Sequence, residues 1–273
     1  MTVDVYLRPA IGLIVLAALT TGCDVSVKDG NVSLDLVTGR AVDDSTRTYT
    51  IAPDGEIAIE NRNGSIEVTS SDAPQLEVAI SRQAEARSDE AAQVLLKQID
   101  IREESGPARV RLETVAPADG SFRVNYTVRA PRSLSTVLKT ENGRLVVAGM
   151  AGSVRMTGSN SAIDGKGLSG GVQASTINGP IHVELASIGG EISLVSINGP
   201  VRLVVPATAK ANFSARSLNG RIATTGLTFE NLDQKSGREM QARLNGGGPR
   251  VRLETTNGPI SIASNADADS TPR

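Results

Sequence analysis

Few side chains in this sequence belong to types that do chemistry, and their spacing keeps them apart. The chain has one histidine, His182, and one cysteine, Cys23. His182 lies between Ile181 and Val183, which is an outward position if the segment alternates as a strand. No serine or cysteine nucleophile pattern accompanies it, so it reads as a solvated surface histidine rather than a general base. Polysaccharide cleavage needs carboxylates that converge on one groove, whereas Asp164, Glu184 and Glu191 are separated along the chain and read as solvated strand or corner positions. Cys, His and carboxylates nowhere cluster at ligand spacing. Gly246–Gly248 is followed by Pro249, without the Lys-Ser/Thr and helix of a phosphate loop. No catalytic, cofactor-binding or metal residue is therefore expected.

Composition narrows the classes further. The 28 Lys+Arg and 30 Asp+Glu leave a formal net charge of -2, so there is no basic face to neutralise a nucleic-acid backbone. Aromatics make up 2% and Trp is absent, which suits a narrow core of Val, Ile, Leu and Ala. A single cysteine permits no intrachain disulfide.

That cysteine closes a leader. Arg8 precedes the mostly apolar run Ala10–Leu19, which is followed by Thr20, Thr21, Gly22 and Cys23. The run has the length of a signal-peptide core and is too short to span a bilayer. Residues 1–23 resemble a bacterial lipobox, in which the cysteine is lipidated and becomes the mature N-terminus. Leu19 lies four residues before Cys23, where that pattern prefers three. The alternatives are an ordinary cleaved signal peptide or an uncleaved anchor.

The strongest signal is a repeat. An Asn, usually followed by Gly, recurs at Asn63, Asn142, Asn160, Asn178, Asn198, Asn219 and Asn257. From Asn142 onward the steps are 18, 18, 20, 21 and 38 residues, the last near two steps, and the 79 residues from Asn63 to Asn142 are near four. Three residues after each Asn stand Ile66, Leu145, Ile163, Ile181, Val201, Ile222 and Ile260; four before stand Ile59, Leu138, Met156, Ala174, Leu194, Ala215 and Leu253. Apolar and mainly polar residues alternate through these segments, the mark of strands with one buried face. Each unit reads as strand, Asn-Gly corner, strand.

Two architectures can use that unit. One is an antiparallel β-sandwich of hairpins. The other is a parallel β-solenoid, β-helix-like, whose coils of about 20 residues stack on one another. Pro180, Pro200 and Pro259 directly follow the Asn-Gly pairs and cannot donate the N–H that closes a two-residue hairpin. This favours the solenoid, in which stacked asparagines can bond as a ladder. One short helix is expected near residues 88–100: Ala91, Leu95 and Ile99 are spaced by four, Ser88 is a suitable N-cap, and Asp89 and Glu90 favour a helix start. Residues 227–249 read as an inserted polar loop. The expected organisation is a signal peptide at 1–22, a lipidated N-terminus and spacer at 23–46, a β-solenoid domain at 47–264 and a disordered tail at 265–273.

The unit Asn-Gly-x-Ile-x-Val, as in SINGPVRLVV and TTNGPISIAS, resembles the bacterial putative-adhesin β-strand-repeat family over roughly residues 47–263. Members of that family are largely of unknown function, and the resemblance supplies no binding residues. Together these features lead to the expectation of an exported, non-enzymatic envelope lipoprotein, periplasm-facing or at the cell surface. It would be held at a membrane by its lipid, would offer a repetitive surface to an envelope protein or glycan, and would bind no nucleic acid. A carbohydrate-active β-helix enzyme and a structural or stress-response envelope protein are the alternatives. Replacing the cysteine, Cys23→Ser, is expected to move the protein from the detergent phase to the aqueous phase in a phase-separation assay. Unchanged partitioning would show that Cys23 does not anchor the chain.

Overall fold

The computed structural model describes residues 38–265 and, for the backbone alone, two strands before them. The expected leader, the Cys23 side chain and the tail after Asn265 lie outside the described residues. The two N-terminal strands, β1 (Cys23–Lys28) and β2 (Asn31–Leu36), pair antiparallel with each other. Next come β3 (Gly39–Thr50), β4 (Glu56–Asn63), β5 (Ile66–Ser71), β6 (Gln75–Ala86), helix α1 (Asp89–Lys97), β7 (Asp100–Ser105), β8 (Arg109–Val115) and β9 (Ser121–Pro131). The repeats follow as β10 (Ser135–Ala148), β11 (Val154–Leu168), β12 (Val172–Asn178), β13 (Ile181–Leu185), β14 (Ile192–Asn198), β15 (Val201–Val205), β16 (Ala211–Asn219) and β17 (Ile222–Thr225). The chain closes with β18 (Phe229–Lys235), β19 (Glu239–Leu244), β20 (Arg250–Asn257) and β21 (Ile260–Ser264). The fold is all-β with one short helix.

Strands β3 to β21 belong to one mixed sheet of 19 strands, and their registers trace two ladders. Segments before the asparagines stack in the order β7, β8, β4, β10, β11, β12, β14, β20, β16, β19, β18. Segments after them stack as β3, β6, β9, β5, β10, β11, β13, β15, β21, β17. Pairing is parallel through the middle of both ladders and antiparallel towards the ends, so an entirely parallel arrangement is corrected to a mixed one. No register joins the two strands that flank an Asn; each pairs with its equivalents in neighbouring units. The apolar columns of both ladders form one core: Ile57, Val172 and Val251 from the first and Ile66, Val183 and Leu203 from the second are each 0% exposed. Fully burying such side chains contributes about 1.5–3 kcal/mol each.

The corners hold this stack in register. Along the corner column an Asn Nδ2 donates to the Oδ1 of the next: Asn142 to Asn63 (2.9 Å), Asn160 to Asn142 (2.9 Å), Asn178 to Asn160 (2.8 Å) and Asn198 to Asn178 (2.8 Å). The series continues from Asn257 to Asn198 (2.7 Å) and from Asn219 to Asn257 (2.9 Å). Beside the ladder runs a column of backbone that tolerates almost no side chain. A Cβ added to Gly199 would lie 2.0 Å from the Gly179 carbonyl oxygen. Two residues before four of the asparagines, a buried hydroxyl donates to that column: Thr176 to the Ser161 carbonyl, Ser196 to Gly179, Thr255 to Gly199 and Ser217 to Gly258. One unit exchanges the two residue types. It reads Gly158-Ser159-Asn160-Ser161, and Ser161 occupies the space in which a Cβ on residue 158 would lie 2.4 Å from the Ser161 Cβ. The prolines fit because their carbonyls accept bonds from Ile163, Ile181 and Val201 of the adjoining units at 2.9–3.0 Å.

Spacing misled the reading of chain order. Asn142 stacks directly on Asn63; β8 and β9 from the 79-residue interval stack on the far side of β4 and β5, and no unit lies between the two asparagines. The final unit, β20–β21, inserts between β14–β15 and β16–β17, so Asn257 lies between Asn198 and Asn219. The expected loop at 227–249 contains the antiparallel hairpin β18–β19, which pairs along β16. The expected spacer at 23–46 includes the start of β3, which is paired with β6 from Gly39 onward. The helix begins where its cap requires: Ser88 Oγ accepts from the Ala91 N–H at 3.3 Å.

Asn178 makes two ladder bonds and Asn219 makes one. At about 0.5–1.5 kcal/mol net per bond, Asn178→Ala is expected to cost about 1–2 kcal/mol and Asn219→Ala about half that. Gly199→Ala should cost more than either, because backbone must move. Urea unfolding midpoints check this order; equal effects at the two asparagines would show that the ladder does not act as a chain of bonds.

Candidate binding groove

The outward face of the first ladder carries the best-formed depression. The residues five before each Asn stack as Val137, Arg155, Gln173, Ser193 and Arg252. Two residues further along each strand stand Lys139, Thr157, Ser175, Val195 and Glu254. All of these residues but Lys139 and Glu254 line two adjoining hollows of about 500 and 350 Å³ that share Arg155, Gln173 and Glu191. Strand alternation points these groups outward, and parallel stacking repeats them every ~4.8 Å along the ladder.

The groove's charged groups are mostly paired, while most of its neutral polar groups are free, Ser153 being bonded to Ser135. Glu56 meets Arg109 at 2.9 Å, and Arg252 grips Glu254 with two bonds of 2.8 and 2.7 Å. Next to this face Glu60 accepts from Lys139 and from Arg111, and the Lys139 bond holds its carboxyl below the usual range. Among the described residues, Arg155, Gln173, Thr157, Ser175 and Ser193 make no side-chain hydrogen bond or ion pair to protein. What the groove offers is one guanidinium, an amide, a run of hydroxyls and the Glu191 carboxylate. No aromatic platform lines it.

Its acids do not converge. Glu56 lies on β4 and Glu191 immediately precedes β14, four strand spacings away through β10, β11 and β12. That is roughly 19 Å, against about 5–9.5 Å for the carboxylate pairs of glycoside hydrolysis.

The residues singled out from the sequence are dispersed. His182 lies on the outward face of the second ladder, in register between Asp164 and Arg202. Partial desolvation, and then the Arg202 charge, lowers its pKa. Asp164 is bonded to Arg144 at 2.8 Å. Glu184 is in register with Val204, and Glu191 belongs to the other ladder. Gly246–Gly248 follows the closing hairpin, where Gly246 N–H donates to Glu230. The Arg155–Gln173 column was missed because the repeat was aligned for its apolar positions; the same alignment, read five residues before each Asn, contains it.

No family model and no curated protein matches the sequence. Among solved structures the chain is similar to a putative cell adhesion protein from Clostridium sporogenes, at 9% identity and TM-score 0.45, with 82% of this chain and 100% of that one covered. It is also similar to a putative adhesin from Bacteroides fragilis, at 12% identity and TM-score 0.38, with 81% and 97% covered. Both names coincide with the family that the repeat resembles. Neither protein's ligand is carried over to this chain.

His182 yields a pH prediction. Its folded pKa lies below the ordinary 6.5, so the unfolded chain takes up the proton first. The associated stability is present above pH 6.5 and is lost as pH falls from there through the folded value. As it is the sole histidine, His182→Gln should flatten this part of the stability profile; an unchanged slope in urea titrations across pH 5–7 would assign the effect to other groups.

Proposed function

We propose that this chain is a non-enzymatic cell-envelope lipoprotein, anchored through Cys23, whose two ladders wind as a β-solenoid and whose outer groove binds a hydroxyl-rich envelope glycan. One observation carries the reading: an amide, a guanidinium and several hydroxyls, all uncommitted to protein, repeat at strand spacing along a shallow groove. A polysaccharide presents hydroxyls at its own repeat and can meet such a row with many weak hydrogen bonds. Without an aromatic platform each contact is modest, so affinity comes from length and from the low entropic cost of a rigid surface. Carboxylates about four strands apart favour holding a glycan over cleaving it. Export and anchoring rest on the leader and Cys23; a protein held by its N-terminus at a membrane could present the groove to the envelope around it.

Co-sedimentation with purified cell-wall sacculi and with extracted envelope polysaccharide tests the proposal. The double variant Arg155→Ala/Gln173→Ala is expected to weaken binding about tenfold or more, as loss of two or more hydrogen bonds implies, with its urea midpoint unchanged. Equal binding by the variant would remove the groove as the site. Release of reducing sugar from the polysaccharide would replace binding with catalysis.

A further inference from the structure

The asparagine ladder has a direction. All six bonds run the same way, from Nδ2 of one residue to Oδ1 of the next towards Asn63. One end is therefore an acceptor, Asn219 Oδ1, and the other a donor, Asn63 Nδ2. Aligned amide dipoles add, as they do along a helix, and place partial positive charge at the donor end. Among the described residues, Asn63 Nδ2 has no acceptor.

What surrounds that donor is cationic. Ile66 pairs with Tyr126, so the position on β9 equivalent to Asn63 is Arg123. The ladder is thus continued by an arginine. Arg123 is exposed and has no protein partner among the described residues. Together with Arg144 it lines a pocket of about 660 Å³ that contains Asn63 and no carboxylate in its wall. Of the nearby acids, Asp164 is held by Arg144 Nε at 2.8 Å, which leaves both Arg144 Nη groups without a protein acceptor, Glu141 is held by Arg62 at 3.5 Å, and Glu67, whose charge also acts on Arg144, lies outside the pocket wall.

We infer that this pocket binds an oxyanion, a phosphate or carboxylate group, between the Asn63 amide and the guanidinium groups of Arg123 and Arg144. Arginine presents donors in a planar fork that suits both groups. The uncommitted amide supplies a third donor, fixed in place by its bond from Asn142. The site lies at a corner of the stack and is independent of the groove and its proposed ligand.

Calorimetric titration of the full chain with inorganic phosphate, and separately with glucuronic acid, tests this in a low-salt buffer free of other oxyanions. Saturable binding of either probe is expected, and the tighter one identifies the class. Asn63→Asp is the diagnostic variant. It keeps an oxygen to accept from Asn142 but turns the donor into a like charge, so binding should fall at least tenfold with little change in unfolding midpoint. Should that variant unfold, Arg123→Ala serves instead, since its side chain has no structural partner. Failure of both probes to bind, or equal binding by wild type and whichever of these variants folds, would overturn the assignment.

Discussion

Register is the constraint on which this molecule depends. A parallel stack of short strands has no hairpin turn to fix which residue lies beside which, and a slip by one residue would send every apolar side chain to the solvent. The Asn corners remove that freedom. Each asparagine meets its neighbour's amide, the backbone column passes a carbonyl with no room for a side chain, and in four units a buried Thr or Ser reaches that same carbonyl column. These three features fall on residues within a few positions of one another, so each reinforces the same register. The Gly158–Ser161 exchange shows the coupling: when the hydroxyl position loses its side chain, the adjoining column gains one that fills the space.

The ends are solved differently, because a ladder that simply stops exposes unpaired backbone. At one end the chain turns to antiparallel pairing through β3, β6 and β9 and through β7 and β8, with α1 packed on β3 and β6. Arg47 of β3 reaches Glu103 of β7 at 2.6 Å and ties the two outermost strands together. At the other end β18–β19 covers β16, and its outer strand carries Glu230, Asp233 and Lys235. Charges and a register shift between Glu230 and Asp233 make β18 a poor template for another chain. The insertion of β20–β21 inside β16–β17 places the last unit of the sequence within the stack, where both its strands are paired on two sides.

A surface made this way is repetitive without being uniform. The inward columns are nearly invariant in character because the core admits only apolar residues of limited size. The outward columns are free of that restriction and differ from unit to unit. Uncommitted polar groups therefore lie where structural demand is weakest, in Arg155, Gln173 and the neighbouring hydroxyls. The same freedom places His182 between Asp164 and Arg202, where stacking imposes neighbours from adjoining units and shifts its titration.

Much of this was legible in one chain. Periodicity two, read outward from each Asn, identifies the strands and most buried positions, since alternation reports which face meets the core. Proline after Asn-Gly argues against hairpins because it lacks the needed donor. The helix follows from its cap and its spacing. Other features depended on the tertiary structure: the order of the units, the antiparallel ends, the rung occupied by Arg123 and the groove across five strands. Spacing along the chain says that units are alike, and alike units can stack in any order. Their true neighbours are decided by contacts between residues distant in sequence, and no local pattern records those.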